Sequence, residues 1–236
     1  MKNKESVLKN LGLGVLGAGL IAISGWLTGA LGKDNTKNGL IMTNWAKIPA
    51  WRFETAIIIA AIGVILLGIG MKYMAYVIKL IRRKRVPLDS KIALMTSLGT
   101  LCTSVSAYFI IAIKNIIPLL YKELYESSLM EADMMDAVEG IFYYVSIPFF
   151  FFYAISIITV SLGFIYFILC ERLRISKIYL ILNPLLFYGI SKILGYISII
   201  QVADFASGMV ALGYAFMLMG MISGTAKIPA KKKRVR

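Results

Sequence analysis

Apolar runs of roughly twenty residues dominate this chain and limit its fold more than any single motif does. A helix needs about 20 apolar residues to cross ~30 Å of hydrocarbon, and a helix satisfies its own backbone polar groups away from water. Six stretches come close to or exceed that length: Leu11–Leu31, Ala56–Ile81, Ile92–Ile113, Ile141–Cys170, Ile178–Ile200 and Phe205–Ile222. The fourth is longer than a crossing needs and is expected to tilt or bend, with Pro148 as the place for a bend. Only a short polar break around Gln201 and Asp204 separates the last two, which predicts a tight hairpin. Asn183-Pro184 falls within the fifth run and reads as a kink. The first run follows Lys2, Lys4 and Lys9, but it exceeds the core of a signal peptide and is read as a retained span.

Composition agrees with the runs. Hydrophobic residues make up 59% of the 236 residues and charged residues 16%. Soluble domains lie nearer half apolar and a quarter charged, so a soluble globular enzyme does not fit. The net charge of +14 arises from 26 Lys+Arg against 12 Asp+Glu. Eighteen of the basic residues fall in the N-terminal segment, the 79–91 loop, the 172–177 loop and the C-terminal tail, together with only three acids. The other loops hold six basic residues and nine acids, while Lys72 and Lys192 fall inside runs. The positive-inside rule then places both termini in the cytoplasm. Insertion and anionic lipid account for the high charge without nucleic acid. Trp26, Trp45 and Trp51 fall on the outer side, where indole rings anchor at headgroups.

Several chemistries are missing. Histidine is absent, which removes histidine metal sites, general bases and proton relays. Cys102 and Cys170 sit within apolar runs, spaced for neither a disulfide framework nor a metal site, and read as small buried apolar residues. Gly12-Leu-Gly14-Val-Leu-Gly17 matches a dinucleotide fingerprint in letters only, because no strand precedes it. Close helix packing explains it better, as it does Gly25–Gly29, Gly220–Gly224 and the glycines Gly63, Gly68 and Gly70 of the second run. Spans one, two and six are therefore expected at helix–helix contacts. No nucleophile–base pair and no midplane carboxylate is visible, so the chain reads as a non-enzyme with no cofactor and no metal.

Two places carry candidate binding residues. Residues 121–140 read YKELYESSLMEADMMDAVEG, with apolar residues at roughly helical spacing. This predicts an amphipathic acidic outer helix, with Glu131, Asp133, Asp136 and Glu139 as a face for a cation or a cationic peptide. An acidic loop kept outside by topology is the plainer alternative. Lys192, about 16 residues past Ser176, lies roughly 24 Å into the bilayer at 1.5 Å per residue. A buried Lys192–Asp204 ion pair across the hairpin and an outward-snorkelling lysine are equally compatible with the spacing.

Gly25-Trp26-Leu27 with Gly29, Trp45 with Ile48-Pro49, Trp51-Arg52, Gly63 and Gly70 give residues 17–70 a resemblance to a family of uncharacterised bacterial integral membrane proteins with a domain of unknown function. The resemblance implies membrane integration and no particular activity.

The expected architecture is all-α: one integral membrane domain over residues 1–236, a bundle of six transmembrane helices with both termini inside and the acidic helix between helices three and four. The size suits a transport or immunity-type component of the cell membrane, such as the permease half of an exporter served by a separate cytoplasmic ATPase, or a homo-oligomer. A non-transporting binding or sensing protein that uses residues 121–140 is the alternative.

Overall fold

The computed structural model describes residues 4–29, 37–38, 41–83, 85–127, 132–196 and 205–228. Helix α1 spans Lys4–Gly29. A two-residue antiparallel pairing of β1 (Lys37–Asn38) with β2 (Ile41–Met42), Lys37 opposite Met42, is the one departure from helix among the described elements. After a 3-10 turn at Thr43–Lys47 come α2 (Ala50–Ile81) and α3 (Pro87–Ile111). A π-helical turn, Ala112–Ile116, joins α3 without a break to α4 (Ile117–Glu126). Then follow α5 (Ala132–Leu169), α6 (Pro184–Tyr196) and, after a 3-10 turn at Ala206–Gly208, α7 (Met209–Ala226).

Among the described residues, five helical stretches are long and apolar enough to cross a membrane: Lys4–Gly29, Ala50–Ile81, Pro87–Glu126, Asp136–Leu169 and Ala206–Ala226. The expected fifth span is represented by α6, whose described 13 residues cover ~20 Å at 1.5 Å per residue and which starts later than the apolar run. Asn183-Pro184 is the reason, and it is a helix start rather than a kink. The Asn183 side-chain oxygen accepts from the backbone of Leu185 at 3.0 Å and of Leu186 at 3.3 Å. Pro184 occupies the first helical position, where its missing N–H costs nothing. Pro148, by contrast, lies inside the continuous helix α5.

The chain termini meet at one end of the bundle. Lys4 donates to the carbonyl of Ile228 at 3.0 Å and also to that of Ala226, placing a cation on the C-terminal end of α7, where the helix dipole favours it. α1 is packed most extensively against α2, and α3 against α5, with α7 covering α1. Glycine makes the first contact possible. A Cβ on Gly14 would collide with the backbone of Gly70, and one on Gly17 with the backbone of Leu67 and Gly63. Gly220 and Gly224 instead receive Tyr179, Leu173 and Ile175 from the loop after α5, with Phe164 of α5 also against Gly220, so this GxxxG seats mainly side chains of that loop.

The α3–α5 seam uses hydroxyls. Thr96, Gly99, Thr103 and Ala107 recur on one face of α3, and Gly99 and Gly163 receive Thr159 and Thr96 across the seam. The hydroxyls bond their own helix, Thr96 to Ile92 O at 2.8 Å and Thr103 to Gly99 O at 2.9 Å, so they carry no unpaired proton into the interior. Thr103 also meets Ser156 at 2.6 Å, and Ser156 in turn bonds the Tyr214 hydroxyl of α7.

A second, smaller core closes the end away from the termini. Trp45, Ile48, Phe53, Ile117, Tyr121 and Val138 are buried together. Trp45 is therefore a core residue rather than an interfacial anchor. Trp51 stays exposed, and Trp26 stacks on Phe205 while donating to its carbonyl at 3.0 Å. The acidic outer helix is not a separate element. Residues 121–126 end α4 and residues 132–140 open α5, because Tyr121 and Val138 both join this core and each segment extends a long helix.

Candidate intramembrane site

A cavity of about 630 Å3 lies in the half of the bundle opposite the termini. α1, α3, the π turn, α5, α6 and the start of α7 line it, with Trp45 on one side, and it is partly open to the outside of the bundle. Its walls are mainly apolar and aromatic, among them Ile21, Phe149, Tyr153 and Val210. Into this setting the π turn delivers two adjacent polar side chains, Lys114 and Asn115. A π turn holds one more residue than an α turn and so shifts which side chains face inward; such turns are rare and recur at functional sites.

Lys114 Nζ donates to Ser207 O at 2.7 Å. Ser191 of α6 donates to Ala206 O at 2.9 Å, and Ser207 Oγ donates to Gly25 O at 2.7 Å. The short segment before α7 is thus tied to α1, α6 and the π turn at once. Asn115 is 1% exposed. Its amide nitrogen donates to Ser24 Oγ at 3.4 Å, while its side-chain oxygen has no hydrogen-bond donor among the described residues. Ser24 itself donates to Ala56 O at 3.0 Å, linking α1 to α2 beneath the cavity.

Among the residues singled out from sequence, Lys192 lines this cavity from α6, its ammonium 5.4 Å from the centroid of the Tyr188 ring. Asp204 and Glu131 lie outside the described residues, as does the side chain of Asp133. Asp136 is exposed on the first turns of α5, and Glu139 is half-buried one turn later. The described part of the acidic segment does not border the cavity. Lys122 of α4 pairs with Glu126 and donates to Ala46 O at 3.0 Å. Among the described residues no cluster of three His, Cys, Asp or Glu side chains is placed to hold a metal ion. Cys102 and Cys170 are free thiols and half-buried rather than fully enclosed.

Sequence reasoning did not single out Lys114, Asn115, Asp89 or Arg172. Lys114 and Asn115 end an apolar run, and only their placement on a π turn marks them. Asp89 looks like an ordinary first-turn acid of α3. It is fully buried, and it accepts from Tyr166 at 2.7 Å, from the Arg83 backbone at 2.9 Å and from Arg172 Nε at 3.1 Å. This cluster closes the end of the bundle where the termini meet.

Helices of membrane-crossing length around a largely apolar internal cavity define the architecture of a multi-pass helical membrane protein. The chain belongs to DUF6796, a family of unknown function, which it matches over residues 1–227. No curated protein and no solved structure matches it.

Proposed function

We propose that this protein is a multi-pass protein of the cell membrane, with both termini cytoplasmic, that binds a small lipophilic molecule between its helices in the outer half of the bilayer. The cavity carries this reading. Its volume of about 630 Å3 lies within the range that holds one drug-sized molecule. Its apolar walls, with a few convergent polar groups, suit a molecule with a chain and a head. The orientation follows from the charge asymmetry of the loops, with the 82–85 run and the C-terminal lysines on the cytoplasmic side.

Binding or sensing is favoured over export by a partner ATPase. A permease needs an inner loop that receives force from the ATPase. Here the two inner loops are short and fastened to each other through Asp89 and Arg172, and neither carries a helix that projects from the bundle. The absence of histidine and of a nucleophile–base pair supports a non-enzymatic role.

The test is native mass spectrometry of the full-length protein released from maltoside micelles after titration with monolaurin. Saturable 1:1 retention is expected. Ala211→Phe, which fills the cavity from α7, is expected to abolish it while helical content stays unchanged. No retention by the wild type, or equal retention by both proteins, overturns the reading.

A further inference from the structure

We infer that the cavity selects an anionic amphiphile, with Lys114 as the head-binding residue. This inference rests on the lipophile-binding reading above and names the ligand's chemistry. Two observations carry it.

The first is a charge without a counter-ion among the described residues. Within them Lys114 makes one hydrogen bond from its ammonium, to the neutral carbonyl of Ser207. An ammonium has three donors. Among the described residues no carboxylate lies within ion-pairing distance of Lys114. An unpaired charge at membrane depth is costly, and such residues face cavities and pair with something.

The second is another ammonium. Lys192, exposed on α6, also lines the cavity, next to Ser191.

Two cations and aromatic walls together describe the complement of a head with negative charge, followed by one apolar chain. A lysophospholipid with a glycerol head group has this chemistry. A zwitterionic head places a cation against the lysines, and an uncharged glyceride leaves them unpaired.

The experiment uses full-length protein in maltoside micelles with three probes that share a twelve-carbon chain: lauroyl lysophosphatidylglycerol, lauroyl lysophosphatidylcholine and monolaurin. Affinities are read by native mass spectrometry. The anionic probe is expected to bind about tenfold more tightly than either other probe, as a charge-assisted contact predicts. Lys114→Met is expected to erase that preference while monolaurin binding is kept, and Lys114→Arg to retain it. Equal binding of all three probes overturns the head-group inference and leaves the cavity reading standing, as does an unchanged preference in a Lys114→Met protein that still binds monolaurin. Binding of none overturns both.

Discussion

Arg172 Nε lies 3.1 Å from Asp89 Oδ2, joining the loop after α5 to the first turn of α3 across 83 residues of sequence. The approach is set by a Schellman ending of α5. Glu171 takes a left-handed conformation at φ 55°, the Glu171 N–H bonds Ile168 O at 2.9 Å, and the Arg172 N–H bonds Phe167 O at 3.0 Å. The reversal turns Arg172 back over the bundle, where its NH1 also holds Cys170 O at 3.1 Å.

Removing one partner leaves the other charge poorly paired in a buried place. Asp89→Ala is expected to destabilise by about 3 kcal/mol, the scale for breaking a buried ion pair. The double variant with Arg172→Met is expected to lose less than the sum of the two single variants. Thermal unfolding in detergent measures both, and strict additivity contradicts the pairing.

The glycines of α1 differ in what surrounds them. Gly17 faces the backbone of α2, whereas Gly12 faces open space. Gly17→Ala is expected to cost about 2 kcal/mol through overpacking. Gly12→Ala is expected to be neutral or slightly stabilising, since alanine is the better helix former. The same unfolding assay tells the two apart.

These contrasts show how far the sequence was legible. The positions of α1, α2, α3 and the last helix followed from apolar runs, because length against hydrocarbon thickness is a strong physical filter. The fifth helix starts later than the run expected from sequence, because hydropathy averages over a break. Asn183-Pro184 carried the signal of a helix start, and its cap is visible once side-chain bonds are known. The glycine contacts of α1 with α2 were legible as small residues at helical spacing, but the Thr96–Thr103 seam on α3 was not, because hydroxyls that bond their own helix leave no polar signature. Lys192 stood out as a charge inside a run. Lys114 did not, since a π turn inside an apolar helix has no sequence marker.

Asn183 caps α6 with its side chain and also donates to Leu180 O at 2.6 Å. Asn183→Ala is expected to cost about 1 kcal/mol, the usual value of an N-cap. It is expected to shift the unfolding midpoint while the helical circular dichroism of the folded protein is retained. A change below the error of the measurement contradicts the capping role.

Orientation has its own test. Ser127 is exposed at the end of α4, and Arg174 is exposed in the loop after α5. In a background with Cys102→Ser and Cys170→Ser, Ser127→Cys is expected to react with an impermeant maleimide in intact cells. Arg174→Cys is expected to react only after lysis. The reverse pattern contradicts cytoplasmic termini.

The central claim, that an amphiphile occupies the cavity, is tested most directly through Trp45, which lines it, against Trp51, which is exposed at the start of α2. Two single-tryptophan proteins, one keeping Trp45 and the other Trp51, are titrated with a brominated twelve-carbon lysophosphatidylglycerol, and fluorescence quenching is followed. The account predicts that Trp45 is quenched saturably with a 1:1 end point, and Trp51 only in proportion to probe in the micelle. Trp45 quenching that rises without saturation, in parallel with Trp51, contradicts it.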